Sequence, residues 1–234
     1  MEYLDRIKKD GILRRVKKSE PMSKPDKIWL YRMTHIDNLQ HILRYGFVIA
    51  SSAYADPNFR PIGDQGLIGV RKDLDAPNPP GGKFSSYIPF YLGHRSPMLY
   101  QIATGFEGVK KIPQSDLVYI VVEHECVVQK GLDWFFSDGH ARHEMTRFYT
   151  DASGFDELDW EAIYATQWKN TENDPDRQRR KQAEYRIKEN VPITCFSYFL
   201  TFDEKCKQKI ESLQVLAQTA IPVKISKKAY YDHI

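Results

Sequence analysis

"DPDRQRRKQAEYRIKENVPI", residues 174–193, is the stretch on which the reading of this chain turns. A basic run over 177–181 is followed by one carboxylate, Glu184, which opens a segment that reads as a strand. A solvated surface gives such a pattern. So do the substrate loop and catalytic acid of an enzyme that works on a polyanion. Deciding between them requires the rest of the chain.

Outward from this stretch, the pattern is mixed. On the C-terminal side, "TCFSYFLTF" (194–202) reads as a strand, "DEKCKQKIESLQVLA" (203–217) as a helix and "IPVKISKKAYY" (221–231) as a final strand. On the N-terminal side, "FDELDWEAIYATQW" (155–168) has the spacing of an amphipathic helix. "DLVYIVVEHECVV" (116–128) is almost continuous in Val and Ile and so belongs in the middle of a sheet. "SPMLYQIATG" (96–105) reads as a short helix capped by Ser96, and "SYIPFYLG" (86–93) as a strand of alternating faces. Residues 51–83 are rich in Gly and Pro and form one long loop; a loop above about 12–15 residues in a compact domain is functional or disordered. "KIWLYRM" (27–33) is a core strand. In "THIDNLQHILRYGF" (34–47), Thr34 or Asp37 caps a helix whose Leu39, Ile42 and Leu43 share a face and which Gly46 ends. Strands and helices follow no βαβ rhythm, so the fold class is α+β.

The chain has 234 residues, enough for one sizeable core, with 41% hydrophobic and 28% charged residues, the profile of a soluble globular domain. No apolar run approaches the roughly 20 residues of a membrane helix. The first residues are too charged for a signal-peptide core, so the expected location is the cytoplasm. The net charge of +3 is uneven: residues 1–27 carry nine Lys/Arg and five Asp/Glu, leaving the other 207 at −1. Residues 1–27 therefore read as a basic extension and 28–234 as the domain. The body is not a generally basic DNA-coating protein, and contact with a polyanion must come from local patches. Cys126, Cys195 and Cys206 form no CxxC and imply neither a disulfide framework nor a zinc site.

Standard nucleotide motifs are absent: there is no GxxxxGK[ST], no GxGxxG and no GxSxG. "SDGHARHEM" (137–145) spaces two His by three residues without an established helix; it reads as a surface loop offering one His to a substrate, and no metal is expected. What remains is a scattered polar set among aromatics: Arg32, Arg71, Tyr87, Tyr91, Arg95, His140 and Glu184.

Six segments in one order, "LYRMTHIDNLQHIL", "NPPGG", "YIPFYLGHRSPMLYQI", "FSDGHA", "LDWEAI" and "RRKQAEYRIKENVP", resemble the DarT family, bacterial toxins that ADP-ribosylate DNA. The resemblance covers roughly residues 28–231. It implies a compact ADP-ribosyltransferase fold with a split, mostly antiparallel central sheet flanked by helices. It also implies NAD as co-substrate, transfer of ADP-ribose to thymine or guanine in single-stranded DNA with release of nicotinamide, and a macrodomain antitoxin of the DarG type. The family pattern of Arg or His, Tyr or Ser, and Glu on three strands falls on Arg32, Tyr91 and Glu184. Glu184 and Arg71 are the implied catalytic residues. Arg32, Thr34, His35, Asn38, Tyr87 and Tyr91 are expected to hold NAD. His140, Arg95, Arg142, Arg147, Arg177, Arg179 and Arg180 are expected to face DNA. No membrane contact is expected, and the chain is expected to be a monomer.

The chemistry suits these residue types. A carboxylate beside the ribose stabilises an oxocarbenium-like state and takes a proton from the attacking base. An aromatic face suits the planar cationic nicotinamide. A loop guanidinium holds phosphate bidentately. Each residue keeps a plainer reading beside this one: Glu184 as a strand carboxylate paired with Arg186 or Lys181, Arg32 as an edge arginine reaching water, Tyr91 as core packing. Two other functions stay open at this level. One is an ADP-ribosyltransferase acting on protein or RNA. The other is a single-strand-binding module that stacks bases on its aromatics, 13% of the chain.

Overall fold

A computed structural model describes residues 22–231, apart from 64, 65, 67, 68 and 70–72. Arg71 and most of the N-terminal extension, 1–21, lie outside the described residues; Ile28 is the first residue of the buried core.

The strands are β1 (Trp29–His35), β2 (Phe47–Val48), β3 (Tyr87–Tyr91), β4 (Leu117–Glu123), β5 (Trp134–Ser137), β6 (Phe148–Tyr149), β7 (Glu184–Lys188), β8 (Asn190–Val191), β9 (Phe196–Thr201) and β10 (Val223–Ile225). Eight of them form one sheet in the order β10-β9-β4-β1-β3-β7-β5-β6, antiparallel except for β10 against β9. β2 and β8 pair separately. The α+β, mostly antiparallel reading of the sequence holds. β4 lies between β1 and β9, and its first six residues are fully buried, which is why its sequence has no polar alternation.

The sheet is two halves joined by one point of contact. β1 pairs with β4 over seven residues, but with β3 only through Tyr31 opposite Tyr91. Beyond that pair β1 and β3 part, and a cleft opens between them.

The helices are α1 (Leu39–Tyr45), α2 (Pro97–Thr104), α3 (His124–Gln129), α4 (Trp160–Tyr164), α5 (Arg177–Lys181) and α6 (Glu204–Ala217). α1 buries Leu39, Ile42 and Leu43 and stops at Gly46, whose φ of 73° only glycine adopts freely. Its start differs from expectation. A 3-10 turn, Ile36–Asn38, precedes it, capped by His35 Nδ1 accepting from the Asp37 amide, while Thr34 Oγ1 accepts from Asn38 Nδ2. α2 is capped by Ser96 as expected, with Pro97 in its first turn and Gly105 at its end.

Three other segments also differ. Residues 124–129 leave the sheet as α3, because past Glu123 only Val127 is buried and a helix satisfies the backbone with one apolar contact face. The expected helix over 155–168 is broken: Asp159 accepts from the Ala162 amide and starts α4 anew after a 3-10 turn. The last strand is only three residues long. Chain 227–231 turns inward so that Tyr230 Oη lies 3.0 and 2.9 Å from the carbonyls of Leu117 and Leu200.

Candidate active site

The cleft at the divergence of β1 and β3 has a volume of about 660 Å3, and its walls include Arg32, Phe47, Tyr87, Tyr91, Glu184 and Arg186. Strand register builds it. Tyr91 stands opposite Glu184, and Pro89 opposite Arg186. Residues two apart on a strand share a face, so Glu184 and Arg186 project to the same side as Tyr91 and Pro89. A proline is tolerated in a strand where its missing N–H has no partner to serve. The Pro89 carbonyl accepts a hydrogen bond from Arg32 Nη1 at 2.7 Å, so side chain replaces ladder where the sheet splits.

Glu184 is 3% exposed, and its Oε2 accepts from Arg186 Nη2 at 2.6 Å. Arg186 lies with its guanidinium 4.2 Å from the centre of the Phe84 ring. The amide of Glu184 donates to Ser137 Oγ at 3.4 Å, and that hydroxyl donates to the Gly139 carbonyl, which ties β7 to the end of β5. Of the two partners the sequence offered Glu184, Arg186 is the one it has. Lys181 instead sends its ammonium to the carbonyls of Ile163 (2.7 Å) and His94 (3.0 Å), and burial pushes its pKa down to about 7, helped by the charge of Arg95.

Arg32 sits 5.1 Å over the Phe47 ring. Burial and the charge of Arg186 push it down to about 10. Among the described residues its Nε has no hydrogen-bond partner. Arg32, Arg186, Glu184 and Asp56 all line the cleft, so two guanidinium groups stand beside two carboxylates, and the guanidinium groups are the ones suited to an anionic group such as a phosphate. Tyr87 also lines the cleft. Its hydroxyl donates to the Gly81 carbonyl at 2.6 Å, pinning the Pro-Pro-Gly-Gly turn, and burial raises its pKa.

Three expected NAD contacts do not line the cleft. Thr34, His35 and Asn38 are each at most 2% exposed. Asn38 holds Arg60 through both backbone groups, its Nδ2 donating to the carbonyl and its Oδ1 accepting from the amide. His35, its pKa lowered by burial, accepts through Nδ1 and so carries its proton on Nε2. These residues fasten the segment at 59–62, part of the cleft wall, from behind.

The DNA-facing set also divides. Arg179 is buried and bonded to Asp176 and Asp138, and the half-buried Arg180 to Asp174 and Asp159, so both expected DNA contacts already meet carboxylates of this chain. The basic run is a helix, α5, locked by carboxylates. Arg177 lies 3.8 Å from Glu161, a loose pair. Arg142 and Arg147 are exposed. Arg95 has a φ of 56° and lies 4.7 Å over the Tyr231 ring, away from the cleft lining. His140 is half-buried and lines a second cavity of about 330 Å3 next to α5.

Phe47, Phe84 and Ser137 were invisible to the sequence reading, since each acts through a neighbour distant in the chain. Arg186 carried a signal, its two-residue spacing from Glu184 on a strand. Among the described residues no group of three or more His, Cys, Asp or Glu is placed to hold a metal ion.

The sheet splits at one residue pair, and Arg32, Tyr91 and Glu184 stand on three adjoining strands around the gap, the arrangement that the resemblance implies for an ADP-ribosyltransferase. Comparison with known proteins narrows the class. The family model for DarT, ssDNA thymidine ADP-ribosyltransferase, matches residues 31–231, and the chain belongs to that family. A DNA ADP-ribosyl transferase of Escherichia coli is 31% identical over 187 residues, covering 80% of this chain and 86% of the relative. One from Thermus sp. is 32% identical over 197 residues, covering 83% and 90%. Thermus sp. 2.9 DarT in complex with ADP-ribosylated ssDNA superposes with a TM-score of 0.83 at 28% identity, over 91% of this chain and all of that one. The same DarT in complex with NAD+ gives 0.77 at 28% identity, over 89% and all.

Proposed function

We propose that this chain transfers ADP-ribose from NAD to thymine in single-stranded DNA and thereby blocks replication as a toxin. The observation that carries this reading is the buried Glu184 paired with Tyr91 on the neighbouring strand, both lining the cleft, with Arg32 at the split. The ligands of the Thermus relatives, NAD+ and ADP-ribosylated ssDNA, support both substrates, and the family description favours thymine over guanine.

The bond between ribose and nicotinamide breaks and a bond from the ribose to a ring nitrogen of thymine forms. The proton on that nitrogen passes to Glu184, which acts as general base. Arg32 holds the diphosphate. Tyr91 lies against the nicotinamide side of the cleft. Arg71, outside the described residues, keeps the catalytic role that the family pattern gives it. The surrounding buried aromatics exclude water, which competes for the ribose. Residues 28–234 form the catalytic domain. The chain acts as a monomer in the bacterial cytoplasm, opposed by a macrodomain antitoxin that removes the modification.

The test is mass spectrometry of a mixed-sequence single-stranded oligonucleotide after incubation with NAD, beside Glu184→Ala. One ADP-ribose on thymine, absent with the variant, is the expected result. An unmodified oligonucleotide with folded protein overturns the reading.

A further inference from the structure

The ladder between β3 and β7 ends at the residues of the cleft. Its pairs run from Tyr87 with Lys188 to Tyr91 with Glu184. One more bond follows, the Leu92 amide donating to the Ala183 carbonyl at 3.2 Å. Beyond it the two chains part: one runs to the cap of α2 at Ser96, the other back into α5. The end of a ladder frays first, because its last pairs have neighbours on one side only. Tyr91 and Glu184 stand at that end.

Lys181 ties it shut. It is the last residue of α5, three residues before Glu184, and it is 3% exposed. Its Nζ donates at 3.0 Å to the carbonyl of His94, three residues past Tyr91, and at 2.7 Å to the carbonyl of Ile163. Ile163 is in the last turn of α4, where carbonyls have no partner within the helix. One ammonium group therefore joins the exit of β3, the approach to β7 and the end of α4. Both of its hydrogen bonds go to the main chain, and among the described residues it makes no ion pair. An ammonium buried without a carboxylate is costly. A methionine would fill the same space without that cost, but it would not link the two carbonyls.

We propose that Lys181 is a positioning residue for the transfer reaction: it closes the open end of the β3–β7 ladder and so fixes Glu184 beside Tyr91. The inference rests on Glu184 being the base of the proposed transfer. Lys181 does not line the cleft, so it acts through Glu184 and not by contact with a substrate held there. A general base works only within hydrogen-bond reach of its proton, and a misplacement of about 1 Å costs roughly 100-fold in rate.

The experiment compares the wild-type chain, Lys181→Met, Glu184→Gln and the double variant. Transfer to a single-stranded oligonucleotide containing thymine is followed in a single turnover, and binding of the uncleavable analogue carba-NAD+ is measured by calorimetry. Lys181→Met should bind the analogue one to one with unchanged affinity, while the transfer rate per bound site falls about 10- to 100-fold. The double variant should be no slower than Glu184→Gln alone, because a residue that acts through the base has nothing left to position once the base is gone. Lys181→Gln, which keeps a donor on a side chain one bond shorter, should lie between wild type and Lys181→Met. A role in the fold alone would lower the number of binding sites and leave the rate per site unchanged. That result, or a loss that multiplies with Glu184→Gln, overturns the inference and leaves the transferase reading standing. If neither Lys181 variant folds, the residue is a requirement of the fold and the inference is likewise overturned. A wild-type chain that modifies no oligonucleotide removes the transferase reading and this inference with it.

Discussion

In the proposed reaction the chemistry rests most on Glu184 and its partner Arg186. A buried carboxylate is tolerated because a guanidinium two residues along the same strand face meets it at 2.6 Å. Glu184→Gln keeps the shape and removes the base. It should lower the transfer rate by about 10²- to 10⁴-fold in single-turnover assays while circular dichroism stays unchanged. Arg186→Met leaves the carboxylate buried without that ion pair. It should lower the unfolding free energy by about 3–5 kcal/mol, measured in urea, and the double variant Arg186→Met, Glu184→Gln should recover much of the loss. Equal instability of the single and double variants would show that the pair does not hold the strand. In the chain alone Glu184 had two readings, a paired strand carboxylate and, by the family pattern, the acid. Its partner was not legible, because Arg186 and Lys181 were both near and only the strand geometry separates them.

At the scale of elements, the ends matter more than the middles. Gly46 closes α1 with a positive φ, and a Cβ placed there would run into the Val191 carbonyl of β8. Gly46→Ala should cost about 1–3 kcal/mol and lower the melting temperature. The junction after β3 is nearly as tight: an added Cβ on Gly93 would stand 2.5 Å from the Ile163 carbonyl, one of the two carbonyls that Lys181 binds. A half-buried and a buried base meet here, and both are depressed. His94 is pushed down to about 4 by burial, then by Lys181 and Arg95, and Lys181 to about 7 by burial. A base whose folded pKa is below its unfolded value binds fewer protons when folded, so stability rises with pH between the two values. For Lys181 that window runs from about 7 to about 10, and for His94 from about 4 to about 6.5. Lys181→Met should flatten the rise in unfolding free energy above pH 7 and leave the acid limb in place. A limb above pH 7 as steep as in the parent chain would refute the assignment. The caps at Ser96 and Gly46 were legible as short-range signals. The break before α4 was not, since Asp159 acts at the start of a helix that the apolar spacing had already seemed to extend.

Across the whole molecule, charge is placed by tertiary contacts. Arg179 and Arg180 are part of the frame that holds α5, whereas Arg142 and Arg147 are exposed. Binding of single-stranded DNA should therefore lose about 0.7 from the slope of log affinity against log salt for each of Arg142→Ala and Arg147→Ala, with no change in melting temperature. Arg179→Ala should instead reduce stability, because it removes the buried guanidinium that Asp138 and Asp176 share. A lowered salt slope with intact stability for Arg179→Ala would return that residue to the DNA-facing set.

The sequence by itself determined the α+β class, the central place of β4, the Ser96 and Gly46 helix ends and the candidates Arg32, Tyr91 and Glu184. These rest on local periodicity, on capping chemistry and on ordered motifs, all of which act over a few residues. Only the tertiary structure decided which cation holds Glu184, that Thr34, His35 and Asn38 support the cleft from behind, and that Arg179 and Arg180 are paired with carboxylates. The physical reason is that a charged or polar side chain takes its role from the partner it meets on burial, and here those partners come from distant parts of the chain: Arg179 from Asp138, Asn38 from Arg60, Lys181 from His94.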